Sequence, residues 1–147
     1  MGDRAAALLA AAKMLAGLGG VRVQKISGMI ETEAVGGPAD QPAYLNAAVE
    51  IETTLGPREL LAALHEIEAA LGRDRRSEQR WGERTCDVDI LLMGEITMEV
   101  PELTIPHPRM HERLFVLRPL AEIAPSAVHP KLGLTVAEML VAAEVAK

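Results

Sequence analysis

From Pro57 onward, apolar residues recur at Leu60, Leu64, Ile67 and Leu71, the spacing of a stripe along one face of a helix. Pro57 suits the first turn of that helix, and Gly72 is the predicted stop. Residues 3–17 predict an alanine-rich helix with Asp3 as N-cap, ended by Gly17, Gly19 and Gly20. Val21 to Glu33 alternates loosely, as a half-buried strand does, and Tyr44 to Thr54 predicts a second strand with Val49 and Ile51 on one face. The glycines, prolines and polar residues of 36–42 mark the loop between them. Cys86 to Met93 predicts a third strand, and Gly94-Glu95 a hairpin turn into a strand over 96–100. Pro106-His107-Pro108 breaks the chain before a short helical stretch to about Leu120. Thr135 to Ala146 predicts a last amphipathic helix. Helices interleaved with strands, one strand pair antiparallel, predict an α+β fold: an antiparallel-rich sheet with helices packed on it.

Composition narrows the class. The 147 residues suit one domain, spanning 1–147, with a real core. A hydrophobic share of 49% and a charged share of 24% are ordinary for a globular chain. The net charge of −6 argues against a nucleic-acid surface, so an anionic ligand must be held by a local basic cluster. Residues 5–18 are apolar but interrupted by Lys13 and too short to span a bilayer, so no membrane partner is expected. Cys86 is the single cysteine, which rules out an internal disulfide and suits a cytoplasmic setting. With no histidine near it in sequence, Cys86 reads as a small buried strand residue and not as a nucleophile.

The candidate chemistry centres on Asp87 and Asp89. Two apart on a strand, they project from one face, while Val88 and Ile90 project from the other and pack. An Asp-x-Asp pair by itself is most often a solvated strand start. Here Arg80, Trp81 and Arg84 precede it, and arginines crowd this stretch at positions 73, 75, 76, 80 and 84. A charge run is usually a solvated loop, yet arginine forks beside paired carboxylates are what a magnesium–phosphate site needs. The rare residues also cluster near polar segments. The chain has one Tyr, one Trp and one Phe, at Tyr44, Trp81 and Phe115, and its single Asn is Asn46. Rings can stack on a flat heterocycle and an amide can read its edge, the alternative being scattered core aromatics. His65 and Glu68 share a helix face away from the apolar stripe, and His107 and Arg113 follow the strand pair.

Three segments then carry a resemblance. Asp40-Gln41-Pro42-Ala43-Tyr44-Leu45-Asn46, Arg80-Trp81-Gly82-Glu83-Arg84-Thr85-Cys86-Asp87-Val88-Asp89 and Leu103-Thr104-Ile105-Pro106-His107-Pro108 occur in that order. Together they resemble the 6-hydroxymethyl-7,8-dihydropterin pyrophosphokinases of folate biosynthesis, over nearly the entire chain. The resemblance implies a ferredoxin-like α+β fold and a transferase that moves pyrophosphate from ATP to the pterin hydroxymethyl group, releasing AMP. Its partners would be ATP and 6-hydroxymethyl-7,8-dihydropterin. It implies two magnesium ions (Mg2+) held by Asp87 and Asp89, and a pterin pocket of Thr32, Tyr44, Asn46 and Phe115. It also implies ATP contacts at His65, Glu68, Arg73, Arg75, Trp81, Arg84, Ile90, His107 and Arg113, with Arg75 and Arg84 stabilising charge in the transition state. Glutamine is common in the family where His65 stands, and proline where Glu33 stands.

One departure concerns the start. Family members usually carry an apolar strand and Gly-Ser-Asn-Leu before the Gly-Asp-Arg that stands here at Gly2-Asp3-Arg4. A chain lacking that inner strand would expose a sheet edge, and the monomer expected of the complete fold would give way to association. Two other readings follow: a nucleotide-binding relative with weak or no activity, or an oligomerising interaction protein. AMP release separates the active enzyme from both.

Overall fold

A computed structural model describes residues 2–32, 44–74 and 87–146; at 2–4, 32, 44, 73 and 74 only the backbone is described. Helix α1 (Gly2–Ala16) begins at Gly2, one residue before the predicted cap. Gly20 turns the chain out of it with φ +80°. The Gly20 carbonyl accepts from the Thr54 N–H at 3.0 Å and the Thr53 hydroxyl at 2.7 Å. A Cβ there would lie 2.9 Å from Thr54 Oγ1, so both the dihedral and the close approach call for glycine.

The two long predicted strands are each broken. β1 (Val21–Ile26) pairs antiparallel with β4 (Val49–Thr53), with Val23 opposite Ile51. β2 (Ile30–Thr32) pairs antiparallel with β3 (Tyr44–Asn46), as a separate ladder. The break has a visible cause. Ser27 donates its backbone N–H to the Ala48 carbonyl at 2.9 Å, but the Ala48 N–H donates to the Ser27 hydroxyl at 2.8 Å. A side chain takes the place of the returning ladder bond, and the strands bend there.

Helix α2 (Pro57–Asp74) runs through Gly72 rather than stopping at it. A glycine ends a helix by turning left-handed, and Gly72 stays within the helical backbone. The predicted stripe is buried, with Leu60, Leu64, Ile67 and Leu71 at 4%, 4%, 3% and 5% exposure. With Leu15 of α1 and Ile90, Leu103 and Ile105 they make the first core, against which Val21, Val23, Val49 and Ile51 pack.

Residues 87–93 do not form the predicted third strand, because no ladder runs along them among the described residues. Their alternation survives all the same: Asp87 and Asp89 are exposed, Val88 is half-buried and Ile90 is buried. Gly94, at φ +58°, does make a turn, closed by the Ile96 N–H on the Met93 carbonyl at 3.0 Å. The hairpin falls one turn later. β5 (Met98–Val100) pairs with β6 (Leu103–Ile105) across Pro101-Glu102. Met98 and Val100 have their apolar partners in Ile105 and Leu103, whereas a hairpin at Gly94-Glu95 would set Val100 opposite Asp89.

β6 ends at Pro106, whose bond to Ile105 is cis. A 3₁₀ turn (Met110–Glu112) leads into α3 (Leu114–Ile123), and α4 (Val136–Ala146) packs back on it. Thr135 and Glu138 cap α4 reciprocally, at 2.8 and 3.1 Å. Met110, Leu117, Leu120, Ile123, Val136 and Met139 form the second core with Ala48. Before α4, buried His129 accepts the Leu132 N–H on Nδ1 at 3.1 Å; its burial, then the charges of His111 and Lys131, hold its pKa below the usual imidazole range. The result is an α+β fold: four helices with three two-stranded antiparallel ladders among the described residues.

Candidate active site

Two elements and one extended segment meet at a cleft of about 480 Å³. Leu61, His65 and Glu68 come from α2, Asp87 to Ile90 from the segment, and Leu103 and Thr104 from β6. Pro101, Glu102, His107 and Pro108 complete it. The reason lies in the first core. Leu64, Ile67 and Leu71 bury one face of α2, and that leaves His65 and Glu68 on a neighbouring face. Ile90 drops into the same core, which turns Asp87 and Asp89 outward beside them.

Among the described residues, hydrogen bonds tie the segment to α2 and to His107. The Val88 N–H donates to Glu68 Oε2 at 2.6 Å, and the His107 N–H donates to the Leu91 carbonyl at 2.9 Å. His107 lies within electrostatic reach of both Asp89 and Arg113. Burial sets the direction of its pKa, below the usual imidazole range; the Asp89 carboxylate opposes that shift and the Arg113 guanidinium adds to it. A largely neutral imidazole at pH 7 presents a donor and an acceptor beside the aspartates. At the rim, Arg58 ties α2 to the β5–β6 turn through Glu102 at 3.1 Å.

The expected pterin residues fall elsewhere in the fold. Asn46 stands on β3 opposite Ile30 and is half-buried. Phe115 stands in the first turn of α3, 37% exposed, with the Arg113 guanidinium carbon 5.7 Å from its ring centre. α3 packs against both β2 and β3, so the Phe115 helix lies against the strands that carry Thr32, Tyr44 and Asn46. Part of the Phe115 ring faces solvent and offers surface for stacking.

The structure thus brings His65, Glu68, Asp87, Asp89, Ile90 and His107 into one cleft. Arg75, Trp81, Arg84 and Cys86 lie outside the described residues, as does the 36–42 loop, and of Thr32, Tyr44 and Arg73 only the backbone is described. Sequence reasoning did not single out Leu61, Glu102 or Thr104. Thr104 had a usable signal, since it stands between Leu103 and Ile105, both buried, and alternation turns it the other way.

No three His, Cys, Asp or Glu side chains among the described residues converge into an all-protein metal cage. Two exposed carboxylates do fit magnesium, a hard cation that takes one or two of them and completes its shell with water and phosphate oxygens.

Comparison with known proteins decides the family. Residues 1–125 match the model of 7,8-dihydro-6-hydroxymethylpterin-pyrophosphokinase (HPPK). This chain belongs to the HPPK family. Among its relatives is the 2-amino-4-hydroxy-6-hydroxymethyldihydropteridine pyrophosphokinase of Bacillus subtilis, 51% identical over 84% of this chain and 72% of the relative. The protein of the same name from Synechocystis is 43% identical over 86% of this chain and 63% of its own length. That from Pseudomonas aeruginosa is 51% identical over 60% of this chain and 54% of its own length. The chain therefore spans between 54% and 72% of these three relatives. HPPK proteins are transferases, and Asp87, Asp89 and the cleft all fall within the matched residues. Among the described residues no helix is long and apolar enough to cross a membrane.

Proposed function

We propose that this chain transfers the β,γ-pyrophosphoryl group of ATP to 6-hydroxymethyl-7,8-dihydropterin, giving the pterin diphosphate and AMP. The observation that carries the reading is the outward-facing pair Asp87 and Asp89, set beside His65, Glu68 and His107 in a cleft on a chain of the HPPK family. In the reaction the hydroxymethyl oxygen bonds to the β-phosphorus, the bond from that phosphorus to the α,β-bridging oxygen breaks, and AMP leaves with the electron pair. The hydroxyl proton passes to solvent or a nearby base. No protein nucleophile is required, so the residues work by positioning and electrostatics.

Asp87 and Asp89 would hold two magnesium ions, which would offset the charge that develops on the phosphate oxygens. Arg75 and Arg84 would stabilise charge on the transferring group. His65, Arg73, Trp81, Ile90, His107 and Arg113 would contact ATP. Thr32, Tyr44, Asn46 and Phe115 would hold the pterin, Phe115 and Tyr44 by stacking and Asn46 and Thr32 at its polar edge.

AMP release from the purified chain with ATP, magnesium and the hydroxymethyl pterin tests the reading. Binding of an ATP analogue with magnesium but no AMP above background would reduce the chain to a nucleotide-binding family member. The pterin side has its own test. Phe115→Ala and Asn46→Ala are each expected to weaken pterin binding by roughly 1–3 kcal/mol. ATP-analogue affinity should fall less, since neither side chain is among the ATP contacts named above. Calorimetric titration with each ligand separates the two, and equal weakening of both would remove these residues from the pterin pocket.

A further inference from the structure

We propose that Glu68 is a positioning residue that latches the Asp87–Asp89 segment to α2 and so sets the direction in which the two carboxylates face. The inference deepens the reading of this cleft as a magnesium–ATP site and rests on it.

The segment 87–93 carries the two aspartates but has no ladder along it among the described residues. In a sheet, backbone bonds on both sides would hold such a stretch and aim its side chains. Among the described residues, other contacts hold it. Ile90 anchors the apolar side in the first core, and the His107 N–H holds the Leu91 carbonyl at 2.9 Å. Neither contact falls between the aspartates. Glu68 supplies a contact that does: its Oε2 accepts the Val88 N–H at 2.6 Å. The acceptor is a carboxylate, which puts this bond among the charge-assisted ones. Asp87 and Asp89 flank Val88 and point the opposite way from its side chain, so rotation of the peptide at Val88 would swing both carboxylates.

Glu68 sits on α2 next to Ile67, which is 3% exposed in the first core. A third carboxylate beside two aspartates is unfavourable by charge alone. Its place is explained by a function that the repulsion does not cancel, namely holding a backbone donor. This gives Glu68 an occupation different from nucleotide contact. Residues that orient metal ligands in this way typically change metal affinity when replaced.

Glu68→Ala removes the acceptor, whereas Glu68→Gln keeps one in the side-chain amide oxygen. Binding of Mn2+ (as a paramagnetic probe for Mg2+) is measured by water-proton relaxation in the presence of a non-hydrolysable ATP analogue. Glu68→Ala is expected to weaken Mn2+ binding by about 10- to 100-fold. Glu68→Gln is expected to stay within about threefold of the parent, on the same reasoning about the retained acceptor. Affinity for the analogue without metal should change little in either variant. If both variants lose Mn2+ equally, the charge of Glu68 acts directly and the latch is wrong. If analogue binding without metal falls in both, Glu68 is a nucleotide contact and the latch is wrong again. Should Glu68→Ala not fold, amide hydrogen exchange in the unaltered chain decides: Val88 is expected to be protected, and fast exchange there overturns the proposal. A parent chain that binds Mn2+ with the analogue but releases no AMP would overturn the catalytic reading and leave the latch standing.

Discussion

Asp87→Asn and Asp89→Asn will each lower turnover by roughly two to three orders of magnitude. The estimate follows from the several kcal/mol that a metal ion contributes at a phosphoryl centre and from about 1.4 kcal/mol per tenfold in rate. Asparagine keeps the size and one oxygen but drops the negative charge that binds a hard cation. Both aspartates lie on the exposed side of their segment, and Val88 and Ile90 carry its packing. The substitutions should therefore leave the circular dichroism spectrum unchanged and the melting temperature near that of the parent. Steady-state AMP release across a magnesium titration is the measurement. Near-normal turnover of both variants at saturating magnesium would remove the pair from the active site.

The second large effect is structural. Leu117 is fully buried in the second core, among Met110, Leu120, Val136 and Met139. Leu117→Ala removes three carbons and leaves a cavity between α3 and α4, for a loss of about 3–5 kcal/mol. Domains of this kind have only about 5–15 kcal/mol in total, so the variant should unfold at a much lower urea concentration. Pterin binding should suffer with it, since α3 also carries Phe115. Val145→Ala supplies the contrast. Val145 is 80% exposed near the end of α4, and its truncation should change stability by no more than about 0.5 kcal/mol. Urea denaturation of the two variants side by side reads the difference; equal losses would mean that the second core does not support the fold.

Local pattern carried several features of this chain unaided. The stripe Leu60, Leu64, Ile67 and Leu71 is buried along its whole length, because 3.6-residue periodicity is a property of one helix and needs no partner to be read. The outward pair Asp87 and Asp89 was legible for a similar reason: two-residue alternation belongs to any extended backbone and persists in 87–93, with no ladder along it among the described residues. The arginine-rich approach to that pair, and the three segments that resemble HPPK, were visible in the residues themselves.

Pairing was decided only in three dimensions. Whether 96–100 joins 87–93 or 103–105 depends on which apolar side chains meet across the ladder, and both turns carry acceptable turn residues. The bends at Ser27 and Ala48 arise from one hydroxyl standing in for a backbone bond, a contact between residues far apart in sequence. The cleft is of the same kind. His65 and Glu68 come together with Asp87, Asp89 and His107 because α2, Ile90 and β6 share one core. The sequence by itself determined which faces are apolar and which residues could bind a metal and phosphates. Only the tertiary structure decided that Glu68 meets the amide of Val88, because a hydrogen bond between a helix and a distant segment is set by packing and leaves no periodicity to read.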